Sequence, residues 1–233
     1  MKKFLTWRKL LMAGAVVHGC AVLFGAITLL QEIQSFQKMQ ASMRAIGDIP
    51  DALIRSVSFA DTLVTIYNVC YWSTVVGIYV CMIGWTYAIS NLARIRETGE
   101  PDVKLGSVIA WFFVPFANFV LPPRRIIKAI RTAGFYGEGL VTTWWVILMV
   151  GVLGSRSASS NVSLALNKFD HTTTVTAWIK VVDEVIAAYG QQAAMLLAIL
   201  CAMVILFFQA KNTLPDEQEG SDKLLQPELP LPG

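Results

Sequence analysis

Three stretches of more than 20 residues carry no Asp, Glu, Lys or Arg: Leu10–Leu30, Leu63–Ile89 and Ala187–Phe208. A helix rises about 1.5 Å per residue, so roughly 20 apolar residues cross the hydrocarbon core of a bilayer. Each stretch reaches that length. Composition agrees, because only 15% of the 233 residues are charged and mean hydropathy is +0.55. A soluble domain carries about 25% charge, so a water-facing globule of this size is excluded. The 7 Trp, 12 Phe and 6 Tyr exclude a disordered chain. The expected fold class is all-α, a polytopic helical membrane protein.

The first run follows Lys2, Lys3, Arg8 and Lys9. A cleaved signal peptide is the rival reading. Val17-His18-Gly19-Cys20 resembles a lipoprotein cleavage box, but His18 does not suit that site and the apolar run continues past Cys20. An uncleaved first helix is therefore expected. Two shorter apolar stretches lie between the later spans. Leu105–Leu121 is interrupted by Pro115 and Asn118, and Leu140–Leu153 carries Trp144-Trp145 near its start, where an interfacial aromatic belt would sit.

Charge decides whether Leu105–Leu121 crosses. Lys and Arg favour the cytoplasmic side. If all five stretches cross with the N-terminus inside, the basic residues divide 10 inside to 9 outside. If 105–121 enters and returns, they divide 13 to 6. The second arrangement also explains the Pro and Asn, since broken backbone at membrane depth is tolerated where protein covers it. The expectation is four spans, near 10–30, 63–89, 140–155 and 187–208. With them come a re-entrant or interfacial segment at 105–121, a basic interfacial helix at 123–133, and both termini in the cytoplasm.

The connections on the far side carry their own patterns. Ile33, Phe36, Met39, Met43 and Ile46 prolong the first span with helical spacing, Gly47-Asp48-Ile49-Pro50 is turn chemistry, and Leu53, Ile54, Val57 and Ala60 lead into the second span. A long helical hairpin standing clear of the membrane is expected there. Residues 155–186 read as looser, starting at the polar Ser155–Ser160, with helix expected from Thr172 to Glu184. The tail at 212–233, with Pro215, Pro227, Pro230 and Pro232 among acidic residues, reads as disordered.

The most specific pattern starts at Trp111, where Trp-Phe-Phe-Val-Pro-Phe-Ala-Asn-Phe-Val-Leu-Pro runs to Pro122. A basic run, Arg124, Arg125, Lys128 and Arg131, follows it, and then the Trp144-Trp145 pair. Pro115 removes an N–H and frees carbonyls about one turn earlier, and Asn118 can satisfy such groups. Pro122-Pro123 would stop the segment. The four cations fall on or near one face of a short helix whose apolar side is Ile126, Ile127 and Ile130. That is the pattern of a helix lying at anionic headgroups, as a topology anchor or as a site for an anionic lipid or substrate.

Trp111, Phe113, Pro115, Asn118 and Pro122 together resemble the hallmark of the bacterial membrane family catalogued as domain of unknown function 4328. The polar region at Asn91 and the pair Trp144-Trp145 extend the likeness over roughly residues 63–155. Members often place an aromatic after the second proline and an acidic residue soon after, where this chain has Pro123 and Lys128. The resemblance implies a bacterial inner-membrane protein and brings no activity, ligand or catalytic residue.

No catalytic chemistry is legible. The histidines are His18, expected to be a hydrogen-bonded packing residue, and His171, and no HExxH, phosphate-binding glycine loop or nucleophile elbow occurs. Asp183-Glu184 and Asp170-His171 offer too few ligands for a metal site. Cys20, Cys70, Cys81 and Cys201 lack redox or metal spacing and read as small packing residues. No enzyme activity, cofactor or nucleic-acid partner is expected. The leading expectation is a non-catalytic scaffold or accessory subunit of a membrane assembly. Its partners would be the lipid bilayer and its anionic headgroups, with Gly14, Gly19 and Gly25 permitting close packing to a second copy or another membrane protein. The alternative is a small transporter or channel with the Pro115–Asn118 break as its polar midpoint.

Overall fold

A computed structural model describes residues 1–46, 51–100, 103–113, 120–135, 138–170 and 174–213, leaving out the side chains at 46–61 and 169–170. All regular structure among these residues is helical. The elements are α1 (Lys2–Ile46), α2 (Asp51–Thr98), α3 (Leu105–Phe113), α4 (Leu121–Thr132), α5 (Glu138–Asp170) and α6 (Val175–Asn212). Four of them, α1, α2, α5 and α6, are long and apolar enough to cross a membrane.

Each long helix contains one expected span and exceeds it. The 45 residues of α1 extend about 68 Å, twice the roughly 30 Å hydrocarbon core. The expected extension of the first two spans is therefore present in α1 and α2, while the turn at 47–50 and the tail beyond Thr213 lie outside the described residues. The looser connection expected after Ser155 is corrected. Helix α5 continues without a break through Ser155–Ser160 to Asp170, because Ala158, Val162 and Ala165 recur at helical spacing and are buried.

The long helices form a row, with α2 packed on α1, α1 on α6, and α6 on α5. Within the apolar stretches, 44% of residues are buried in α1 and α6 but only 17% in α2 and 28% in α5, as expected of central and outer positions. Side-chain partners set an antiparallel register. His18 meets Thr74 at 2.9 Å between α1 and α2, and Gln40 donates to Asp183 at 2.8 Å between α1 and α6. Asn161 donates to Gln191 at 3.3 Å between α5 and α6. The start of α1 and the end of α6 consequently lie at the same end of the bundle. The outward faces are apolar, with Ile66, Val69, Trp72, Val76 and Val80 forming one exposed stripe along α2. A stripe of this kind suits lipid and not water.

Small residues permit the close approaches. The Tyr67 ring lies over Gly25 and the Trp7 ring over Gly84, while Ile199 covers Gly151. His18 is 3% exposed and bonded to Thr74, the packing arrangement expected of it. The cysteines depart from expectation. Cys20, Cys70 and Cys201 sit on exposed faces and only Cys81 is half-buried. A thiol is apolar enough for a lipid-facing position, so the apolar run did not require packing.

A Cβ added at Gly151 would lie 2.6 Å from Ile199 Cγ1 and 3.1 Å from the Ile199 backbone nitrogen, whereas nothing lies within 4 Å at Gly77. Gly151→Ala should destabilise the fold by about 1–3 kcal/mol. Gly77→Ala should be neutral or stabilising by up to about 1 kcal/mol. Thermal unfolding of the two variants in the same nanodisc checks both signs.

Candidate functional site

Helices α3 and α4 supply the break and the charge between α2 and α5. The nine residues of α3 are apolar on both faces. Val108 and Phe112, one turn apart, are buried, while Leu105, Ile109 and Phe113 face outward. The Phe112 ring stands edge-on to Trp145 at 5.9 Å, and the Phe113 ring lies 6.4 Å from Tyr79. At the entry to α3, the Val103 N–H donates to Asn91 Oδ1 at 3.4 Å, and Asn91 donates in turn to the Tyr87 carbonyl at 3.1 Å.

The chain returns to the same end of α2. Helix α4 packs on α2 and α5, and burial of Ile126, Ala129 and Ile130 leaves Arg124, Arg125, Lys128 and Arg131 exposed. Its C-terminus closes with a Schellman motif: the Phe135 N–H donates to the Ile130 carbonyl and the Gly134 N–H to that of Arg131, both at 3.0 Å. Gly134 adopts φ +66 and lies against the Arg96 guanidinium, while Phe135 stacks on Phe4 at 5.1 Å. Entry at Asn91 and exit at Arg96 are neighbouring turns of α2. The segment thus leaves and rejoins the same end of α2, and the first residues of α1 lie at its exit.

Pro122 and Pro123 stand in the first turn of α4, where the first amides of a helix have no intrahelical acceptor to lose, so a new helix opens at the expected boundary. One expectation about this segment changes. Trp144 and Trp145 are 0% and 2% exposed, so they form no interfacial belt. They pack edge-to-face at 5.2 Å with Phe112 against them, because α5 turns this face toward the hairpin. Pro115 and Asn118 lie outside the described residues.

The basic run divides into two pairs. Arg125 places its guanidinium carbon 5.3 Å from the centre of the Trp111 ring, within cation–π range. Arg125 and Lys128 line a pocket of about 400 Å³ with Arg94 of α2 and Lys104 ahead of α3. Glu97 is the one acid among the described lining residues, and it lies 3.8 Å from Arg94. Ser90, Ser107 and Thr132 add hydroxyls. The other two cations are elsewhere. Arg124 is not part of the lining, and Arg131 turns to Glu138, donating two hydrogen bonds of 3.0 Å. These bonds hold the Glu138 carboxyl below the usual carboxylate range. Both partners are exposed, so the pair orients the α4–α5 connection and adds little stability.

Arg94 and Lys104 were legible as inside charges but not as partners of the basic run, because only the hairpin's return brings them to Arg125. The acidic pair near the last span is engaged piecewise. Asp183 accepts from Gln40, and Glu184 pairs with Lys168 at 2.7 Å. Among the described residues no group of three or more metal-ligating side chains occurs.

Replacing Gly134 tests the exit turn. Gly134→Ala should cost about 1–2 kcal/mol for the left-handed backbone, and Gly134→Asn should cost less, since Asn adopts that region more readily. Thermal unfolding midpoints of the two variants decide the order.

No curated protein and no solved structure matches this chain. The family described as Domain of unknown function (DUF4328) matches residues 52–210, extending beyond the motif through α2, the hairpin, α5 and most of α6. The chain belongs to the DUF4328 family.

Proposed function

We propose that this chain is a multi-pass protein of a bacterial inner membrane, with both termini and the hairpin's basic pocket on the cytoplasmic side. In this reading it serves as a non-catalytic scaffold or accessory subunit that holds an anionic lipid headgroup beside α4. The observation that carries the proposal is the pocket's charge: Arg94, Lys104, Arg125 and Lys128 surround about 400 Å³, with Glu97 as the one acid among the described lining residues. Cations at this depth favour anionic headgroups by roughly 1 kcal/mol each near a charged leaflet. A preformed pocket makes that attraction site-specific, and Arg125, laid over Trp111, is already oriented for a phosphate. The lipid bond and the wedged hairpin together suit a protein that holds a membrane assembly in place.

Native mass spectrometry of protein reconstituted with phosphatidylglycerol and phosphatidylcholine tests the lipid site. Phosphatidylglycerol should be retained preferentially, and R125A/K128A should weaken its retention by at least about tenfold, with Arg124→Ala near neutral. Equal retention of the two lipids would remove the site. In a background lacking the four native cysteines, Lys128→Cys should label only from the cytoplasmic side and Lys168→Cys only from the other. Sustained solute flux in liposomes, abolished by Asn118→Leu, would replace the scaffold reading with the transporter.

A further inference from the structure

The row of long helices does not close. α2 and α5 occupy its two ends and are joined through α4 and not by close packing on each other. Between them, at the depth of the apolar stretches, lies a cleft of about 820 Å³ that shares no described lining residue with the basic pocket. Its volume falls in the range of small-molecule sites, roughly 300–1,000 Å³.

The cleft is amphipathic along its length. Its far end, away from the start of α1 and the end of α6, carries Arg156, Ser155 and Ser159 of α5, Gln192 of α6 and Asn68 of α2. Deeper in, the lining turns aromatic and aliphatic, with Tyr71, Tyr79, Val152 and Met82. Phe112 and Phe113 at the tip of α3 close the inner end. The lining residues of α2 run from Tyr67 to Ile83, 17 residues with a rise of about 24 Å. That exceeds one leaflet's share of the roughly 30 Å core and falls short of the whole. Trp72 and Val76 on the rim are 65% and 64% exposed on the outward face, so the cleft opens sideways to lipid.

The geometry points to a binding site for a single-chain anionic amphiphile, its chain lying between α2 and α5 and its headgroup on Arg156. Charge complementarity selects the headgroup. Arg156 is the one cation among the described lining residues, no acid is among them, and none of the ion pairs among the described residues includes Arg156. The serines and Gln192 supply neutral donors beside a guanidinium able to grip a phosphate or carboxylate bidentately. The blocked inner end limits the chain to a length that enters from one leaflet. That leaflet is opposite to the one facing the basic pocket, so the two sites are independent.

The test uses full-length protein in phosphatidylcholine nanodiscs and a lysophosphatidylglycerol carrying a photoreactive group at its chain terminus. Cross-links should concentrate on residues 75–83 of α2 and on Phe112 and Phe113. Arg156→Gln should reduce labelling at least about tenfold, Arg156→Lys should recover part of it, and Val152→Trp should exclude the chain while leaving the helix content unchanged. R125A/K128A should leave labelling intact, which separates this site from the basic pocket. Equal labelling by the phosphatidylcholine analogue would overturn the proposal. So would labelling indifferent to both Arg156→Gln and Val152→Trp, or cross-links spread over the outward faces of α1 and α6.

Discussion

The wedge of α3 and α4 between α2 and α5 is the contact on which the rest of this architecture depends. Ile126 and Ile130 are buried where α4 packs on both outer helices, and Phe112 reaches Trp145 on one side while Phe113 reaches Tyr79 on the other. A four-helix row could close into a bundle by bringing its outer members together. Here about twenty short-helix residues occupy that position at one end, so closure is blocked there and a gap persists above. The basic pocket is lined by both helices of the wedge and by α2, and the cleft ends at Phe112 and Phe113 of α3. Both cavities follow from a single packing decision.

What stabilises the wedge is ordinary packing, and local hydrogen bonds close its two ends. Asn91 accepts from the Val103 amide at the entry, and the Schellman turn at Gly134 satisfies the last carbonyls of α4 at the exit. Phe135 then buries itself against Phe4, which ties the exit to the start of the chain. Entry and exit are thus anchored within about one and a half turns of α2, from Asn91 to Arg96. The direction of α5 follows, and with it the side on which every later residue lies.

Much of this could be read from sequence because lipid imposes coarse rules. Uninterrupted apolar runs marked the four long helices. The amphipathic order of Ile126, Ile130, Arg125 and Lys128 appears in α4 as expected. Other features depended on tertiary contacts. Trp144 and Trp145 resemble an interfacial pair in composition, and only the arrival of Phe112 makes them core residues. Ser155–Ser160 looks like a loop by residue type, although the buried spacing of Ala158, Val162 and Ala165 was available as a helical signal. The cleft had no local signature, since α2 and α5 lie far apart in sequence and define it by failing to meet.

Polarity along the bundle adds a last constraint. Arg94, Lys104, Arg125 and Lys128 crowd one pocket at the end holding the start of α1, whereas Arg156 stands among serines and Gln192 as the one cation of the cleft's described lining. Arg156 belongs to none of the ion pairs among the described residues, which leaves its guanidinium available for recognition. The helix bearing Arg156 also packs Gly151 and Gly154 against Met195 and Ile199 of α6, so its backbone is held on the side facing away from the cleft. Rigid on one face and open on the other, α5 presents its polar turn to whatever enters from the bilayer. The outer helix therefore acts as a fixed wall of the cleft, and Phe112 and Phe113 at the end of α3 set its depth.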